Sequence, residues 1–86
     1  MKKFEDLEFK KHPAYPAFDT QAVMNFKNDY GVSVINGDGA YCGKNTFEVA
    51  ILFKYQITYN THIADDVIGY KTKEEVTKIM QQVQEL

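Results

Sequence analysis

One thiol, Cys42, and two imidazoles, His12 and His62, are the material from which this chain could build a cysteine nucleophile with a histidine base. Such a centre needs the base within reach and a neighbour that lowers the thiol pKa. Cys42 stands in a glycine-rich stretch, His12 precedes Pro13, and His62 sits among turn-forming residues. Their spacing assembles no Cys-His-Asn arrangement, so Cys42 reads as a loop thiol. Asp65-Asp66 has the ligand chemistry of an acid pair or a cation clamp. Adjacent side chains of an extended segment point to opposite sides, however, and do not converge on one ion. One of the two therefore reads as a turn or capping group. Adding Asp38 and His62 gives an acceptable donor set at a spacing that matches no metal clip. No catalytic residue, metal ligand or cofactor is assigned.

Residues 37–44 have the look of a phosphate loop. A P-loop needs glycine where Asp38 stands and a hydroxyl where Asn45 follows Lys44. The aspartate would repel phosphate and the magnesium-binding hydroxyl is missing, so nucleotide triphosphatase chemistry is excluded. What survives is looser anion binding by the loop N–H groups and Lys44. The tyrosines point elsewhere. Tyr30 falls at a predicted hairpin tip, Tyr41 in the glycine loop, and Tyr55 and Tyr59 on one strand face with Ile57. Tyrosine offers large contact area at low entropy cost. Tyr30, Tyr41, Lys44, Tyr55 and Tyr59 are the expected binding surface for a partner or ligand.

The bulk composition sets limits on these readings. With 44% hydrophobic and 26% charged residues, the chain has the make-up of an ordered globular domain. Its 86 residues fit one domain. A domain of this size buries only roughly 60–65% of its unfolded surface, so self-association would usefully enlarge its core. Six Phe and six Tyr exceed what one small core can hold, which places some rings near the surface and points to an interface. All ten basic residues are lysines and the net charge is −2. Without arginine the chain lacks the planar fork that reads phosphate and guanine, and its lysines form no stripe; direct nucleic-acid binding is not expected. A lone cysteine suits a reducing compartment. Acidic residues after Lys2-Lys3 stand where a signal peptide would be apolar, and no run approaches a membrane span. The expected location is cytoplasmic, with no membrane partner.

The elements that must position these residues are legible to different degrees. Residues 1–18 read as an irregular lead-in that packs by its aromatics, because Pro13 and Pro16 forbid regular helix. Residues 22–27 and 32–35 read as a hairpin with Asn28 opposite Val32. Its loop is a type I turn closed by a left-handed glycine, Gly31. Met24, Phe26, Val32 and Val34 then share a face. Residues 47–53 are the strongest strand, apolar on both sides near its end as a central or interface strand would be. Residues 55–59 form a fourth strand, and residues 60–70 an irregular connection. Thr72 and Glu75 fit a capping box, followed by Val76, Ile79, Met80, Val83 and Leu86 at helical spacing. The expected fold is α+β: a four-stranded antiparallel meander over residues 22–59, covered by one amphipathic helix over residues 72–86, in a single domain.

Tyr30-Gly31-Val32-Ser33-Val34-Ile35, Phe47-Glu48-Val49-Ala50-Ile51-Leu52, the run from Tyr59 to Tyr70 and the ending from Glu74 to Leu86 resemble a family of small uncharacterised proteins of tailed bacteriophages and prophages. The opening Met1-Lys2-Lys3-Phe4-Glu5-Asp6-Leu7-Glu8-Phe9 is similar as well, and residues 65–70 are the most specific part. Asp29 departs from the family, in which glycine is frequent at that position. The resemblance implies no activity; it implies a phage accessory protein in the bacterial cytoplasm, of a kind that inhibits host or defence proteins. Two readings follow. The first is a non-catalytic binder of a host or phage protein, itself forming a homodimer through an exposed strand or strand 47–53. The second is a nucleotide-binding or sequestering oligomer, with Lys44 on the phosphate and Tyr30 or Tyr41 on the base.

Overall fold

The computed structural model describes residues 1–11, 20–37 and 40–86. A 3-10 turn over Phe4–Asp6 precedes β1 (Lys10–Lys11), β2 (Thr20–Asn25), β3 (Tyr30–Asn36), β4 (Phe47–Phe53), β5 (Gln56–Ile57), β6 (Ile68–Lys71) and α1 (Lys73–Gln84). All strands join one antiparallel sheet in the order β1-β2-β3-β4, with β5 and β6 sharing the far edge of β4. β5 pairs with the Leu52-Phe53 end of β4 and β6 with its Phe47 end.

Alternation along β3 and β4 sends Val32, Val34, Val49 and Ile51 to one face, where α1 lies across them. Val76, Ile79, Met80 and Val83 complete a fully enclosed core, within which Val32, Val34, Val49, Val76, Met80 and Val83 are 0% exposed. Burying each such side chain stabilises the fold by about 1.5–3 kcal/mol. Phe4, Leu7, Phe9, Phe26, Phe47, Ile63 and Ile68 seal the margins of this core. The opposite face carries Val23, Ile35, Ala50 and Leu52. The apolar character of both sides of strand 47–53 thus comes from its central place in the sheet, with neighbours on both edges.

The helix begins as its sequence dictates. The Glu75 N–H donates to Thr72 Oγ1 at 3.2 Å and the Thr72 N–H to Glu75 Oε1 at 3.0 Å, closing the capping box. The expected α+β class and helix stand, and the strand count is corrected from four to six. The fourth strand, expected over residues 55–59, is cut to Gln56–Ile57 because Tyr55 is taken up by the turn, and β1, of two residues, is too short to show a period. β6 was hidden because Gly69 and a bulge opposite Glu48 break its pattern. It lies inside the stretch read as irregular, and β1 lies inside the lead-in.

The first hairpin keeps its predicted faces but slips by four residues. Met24 stands opposite Val32 and Asn25 opposite Gly31, where Asn28 was expected to face Val32. The loop has the expected form, a tight turn ended by a left-handed residue, but that residue is Asp29 with φ 72°. Gly31 lies within the strand. There it is required for space rather than conformation, since a Cβ would come within 2.5 Å of the Met24 carbonyl oxygen. An even slip preserves which side chains face the core, so the hydrophobic pattern cannot detect it.

Candidate functional site

At one end of the sheet the two hairpin tips come together. The β4–β5 turn has only Lys54 and Tyr55 between the paired Phe53 and Gln56, and both are left-handed, at φ 49° and 72°. This is the geometry of a type I′ turn, which Asn-Gly occupies at little cost and which bulky residues resist by about 1–2 kcal/mol each. The Lys54 N–H donates to the Asp29 carbonyl at 2.8 Å, so the third left-handed non-glycine residue of this end is tied to the first two. Beneath them the Tyr30 and Phe53 rings pack at 4.8 Å, tilted by 50°. The Lys54 ammonium lies 5.4 Å from the Phe53 ring centre.

Asn28 locks this end to the helix. Its side-chain oxygen accepts the Tyr30 N–H at 3.1 Å, and its amide donates to the Val83 carbonyl at 2.9 Å. The tip is therefore rigidly mounted, while its ornaments point outward: Tyr55 is 79% exposed and Phe53 39%. Beside it runs a groove of about 870 Å³ lined by Met1, Met24, Phe26, Lys27 and Asn28. Among the described residues, the outer edge of β2 beyond Gln21 has no strand partner, because β1 pairs only with Thr20 and Gln21.

The five residues expected to form one surface are not gathered. Tyr30 and Tyr55 belong to the tip, and Tyr59, half-exposed, follows β5. Tyr41 and Lys44 lie in the loop at the other end of β3 and β4. The Tyr41 N–H donates to a Glu48 carboxylate oxygen at 2.9 Å, and its carbonyl accepts the Tyr70 N–H at 2.9 Å. A Cβ on Gly69 would come within 2.8 Å of Tyr41, so that glycine seats the loop against β6. Tyr30, at the start of β3, lies at the opposite end of that strand from the loop that holds Tyr41 and Lys44.

Lys44 instead overlooks a groove of about 470 Å³ floored by Phe4, Phe9 and Phe47. The three rings stand 5.0–5.7 Å apart in mutually tilted contact. Lys73, at the first turn of α1, lies on the same groove with its ammonium 5.7 Å from the Phe4 ring centre. No family model matches the chain, and no curated protein or solved structure does. The groove escaped sequence reasoning because Phe4, Phe47 and Lys73 meet only through the fold. The one signal was the aromatic spacing of Phe4 and Phe9 in the lead-in.

The residues with conventional reactive chemistry stay apart. Cys42 turns back on its own loop, its sulfur 3.5 Å from the Gly37 nitrogen and 3.6 Å from the Gly37 oxygen. Asp66 accepts the Val67 N–H at 2.7 Å, the turn role expected of one member of the aspartate pair. His62 and Asp65 are exposed. His12 and Asp38 lie outside the described residues. Among the described residues no three His, Cys, Asp or Glu side chains come together to hold a metal ion, and no helix is long and apolar enough to cross a membrane. The Glu75 carboxyl is held below the ordinary carboxylate range, chiefly by the Thr72 backbone N–H and then by its hydroxyl, with Lys71 3.7 Å away adding to the effect.

Proposed function

We propose that this chain is a non-catalytic binding protein of a bacteriophage or prophage. Its partner is a host or phage protein in the bacterial cytoplasm, and inhibition of a host or defence protein is its purpose. The observation that carries this reading is the tip formed by Asp29, Tyr30, Phe53, Lys54 and Tyr55. Three left-handed residues cluster there, and one of them, Tyr55, holds its ring out at 79% exposure, where the core gains nothing from it. Backbone strain kept in an exposed, rigidly mounted segment is characteristic of a contact surface. The neighbouring groove and the open edge of β2 extend the same surface. They offer an extended partner segment both a ladder and apolar side-chain pockets. Self-association through that edge belongs to the same reading, since unpaired strand edges invite a second copy.

The test is a comparison of captures from bacterial lysate by the wild-type chain and by Tyr55→Ala, both shown to be folded by circular dichroism. A single stoichiometric protein retained by the wild type and lost with Tyr55→Ala is the expected result. Equal retention by both would move the contact surface away from the tip. No retained protein would refute the reading.

A further inference from the structure

We infer that the groove of Phe4, Phe9 and Phe47 is a second, separate site for a small organic anion, a carboxylate or phosphate carried on a flat apolar body. Three half-buried rings leave apolar surface open at the floor of a concavity of about 470 Å³, a volume suited to a small ligand. The rim supplies the charge: among the described residues, Lys44 and Lys73 against Glu5. Among the described residues neither lysine is in an ion pair, whereas Lys71 nearby is engaged by Glu75. In a chain whose net charge is −2, two lysines that no carboxylate among the described residues pairs, set over an aromatic floor, form a local concentration of positive charge.

Both lysines stand on braced backbone. Lys44 rides a tight turn closed by the Gly43 N–H on Thr46 Oγ1 at 2.7 Å. The Asn36 amide ties that turn to β3 by donating to the Thr46 carbonyl at 2.7 Å. Lys73 follows the capped N-terminus of α1 directly, beyond Thr72. The stacking surface is therefore phenylalanine, not Tyr30 or Tyr41, and Lys44 keeps the anion-binding role expected of its loop. A neutral aromatic would forgo the lysines, and a bare inorganic anion would forgo the rings. Recognition requires both halves in one molecule.

The experiment is an amide chemical-shift titration of the full chain with phenyl phosphate and phenylacetate, alongside inorganic phosphate and benzyl alcohol as the two halves. Saturable shifts confined to residues 4–9, 44–47 and 73 are expected, with a Kd of about 1 mM or tighter for at least one aromatic anion. Each half alone is expected to bind at least about tenfold more weakly, the loss of one of two roughly comparable contributions. Lys44→Gln and Lys73→Gln are exposed changes that leave the fold intact, with at most a small drop in Tm for Lys73→Gln, whose ammonium lies over the Phe4 ring; each should weaken binding about threefold to fivefold, as exposed ion pairs do. Phenylacetate binding without phenyl phosphate would assign the site to carboxylates, and the reverse to phosphates. Inorganic phosphate matching phenyl phosphate would overturn the proposal, as would shifts unaffected by both lysine variants or absent for both aromatic anions. Because the groove lies at the far end of β4 from Tyr55, these outcomes are independent of partner capture by the tip.

Discussion

Replacing Lys54-Tyr55 by Asn-Gly should stabilise this domain while removing the proposed contact surface. Two bulky residues at φ 49° and 72° carry together about 2–4 kcal/mol of left-handed strain. Asparagine relieves part of it and glycine all of it. Glycine restores about 0.4–1 kcal/mol of freedom to the unfolded chain. Losing the Lys54 ammonium over the Phe53 ring, 5.4 Å from its centre, costs about 0.5 kcal/mol at an exposed site. Tyr55 is 79% exposed, so its side chain contributes little to packing. The balance is a gain of about 1–2 kcal/mol, which raises Tm by about 5–10 °C in a domain of this size. Thermal melts followed by circular dichroism, with urea midpoints as a cross-check, measure it. Partner affinity should fall by about 30-fold or more, the loss attached to truncating an aromatic hot spot. An unchanged or lower Tm in a folded variant would refute the assignment of strain. A higher Tm with undiminished partner binding would refute its functional meaning.

Three further outcomes follow from named contacts. Glu75→Gln should flatten the acid limb of stability. The native carboxyl is held below its ordinary value, so its contribution is complete above the usual carboxylate pKa of about 4.3 and is lost as pH falls through the lowered native value. The amide keeps an acceptor for the Thr72 N–H but does not titrate, and parallel acid limbs for wild type and variant would contradict this. Gly31→Ala should cost about 2–3 kcal/mol by forcing a Cβ against the Met24 carbonyl. A neutral effect in urea titrations would show that the β2–β3 ladder yields. Met80→Ala, at a side chain wholly enclosed between α1 and the sheet, should cost about 2–5 kcal/mol. In so small a domain that loss should appear as cooperative melting near room temperature, and a Tm within a few degrees of wild type would place Met80 outside the core.

The parts legible in the sequence were those governed by neighbours within a few residues. Thr72 and Glu75 announce the helix start because the capping box closes over three positions, and Val76, Ile79, Met80 and Val83 announce its buried stripe by period. The strand Phe47–Phe53 shows itself by composition. The hairpin register did not, because glycine at position 31 looks like the left-handed residue of the loop. Asp29 took that conformation and Gly31 was needed for clearance inside the ladder. β6 was invisible because Gly69 serves Tyr41 rather than a strand pattern. The expected surface of five residues divided because Tyr30 and Lys44 stand at opposite ends of the hairpin formed by β3 and β4. Only the register of the whole sheet decides such distances. The phenylalanine groove depends on residues as far apart as 4, 47 and 73, which no local pattern connects.

The strength of the tip argument lies in what the register alone would have demanded. Pairing Phe53 with Gln56 leaves a two-residue turn, and any two-residue turn in a twisted antiparallel hairpin requires left-handed backbone. The conformation is therefore imposed by the sheet, and it says nothing about function. The choice of residues does. Asn-Gly meets the same requirement with far less strain, and about 2–4 kcal/mol is a large fraction of the 5–15 kcal/mol that holds a typical domain. Lys54 and Tyr55 recover little of this inside the fold: one cation near one ring, and a phenol that faces solvent. Neither core packing nor turn geometry calls for these two side chains. The proposed partner contact does: it would use the Tyr55 ring outside the chain, and the Lys54-Tyr55 to Asn-Gly exchange separates that use from the strain that accompanies it.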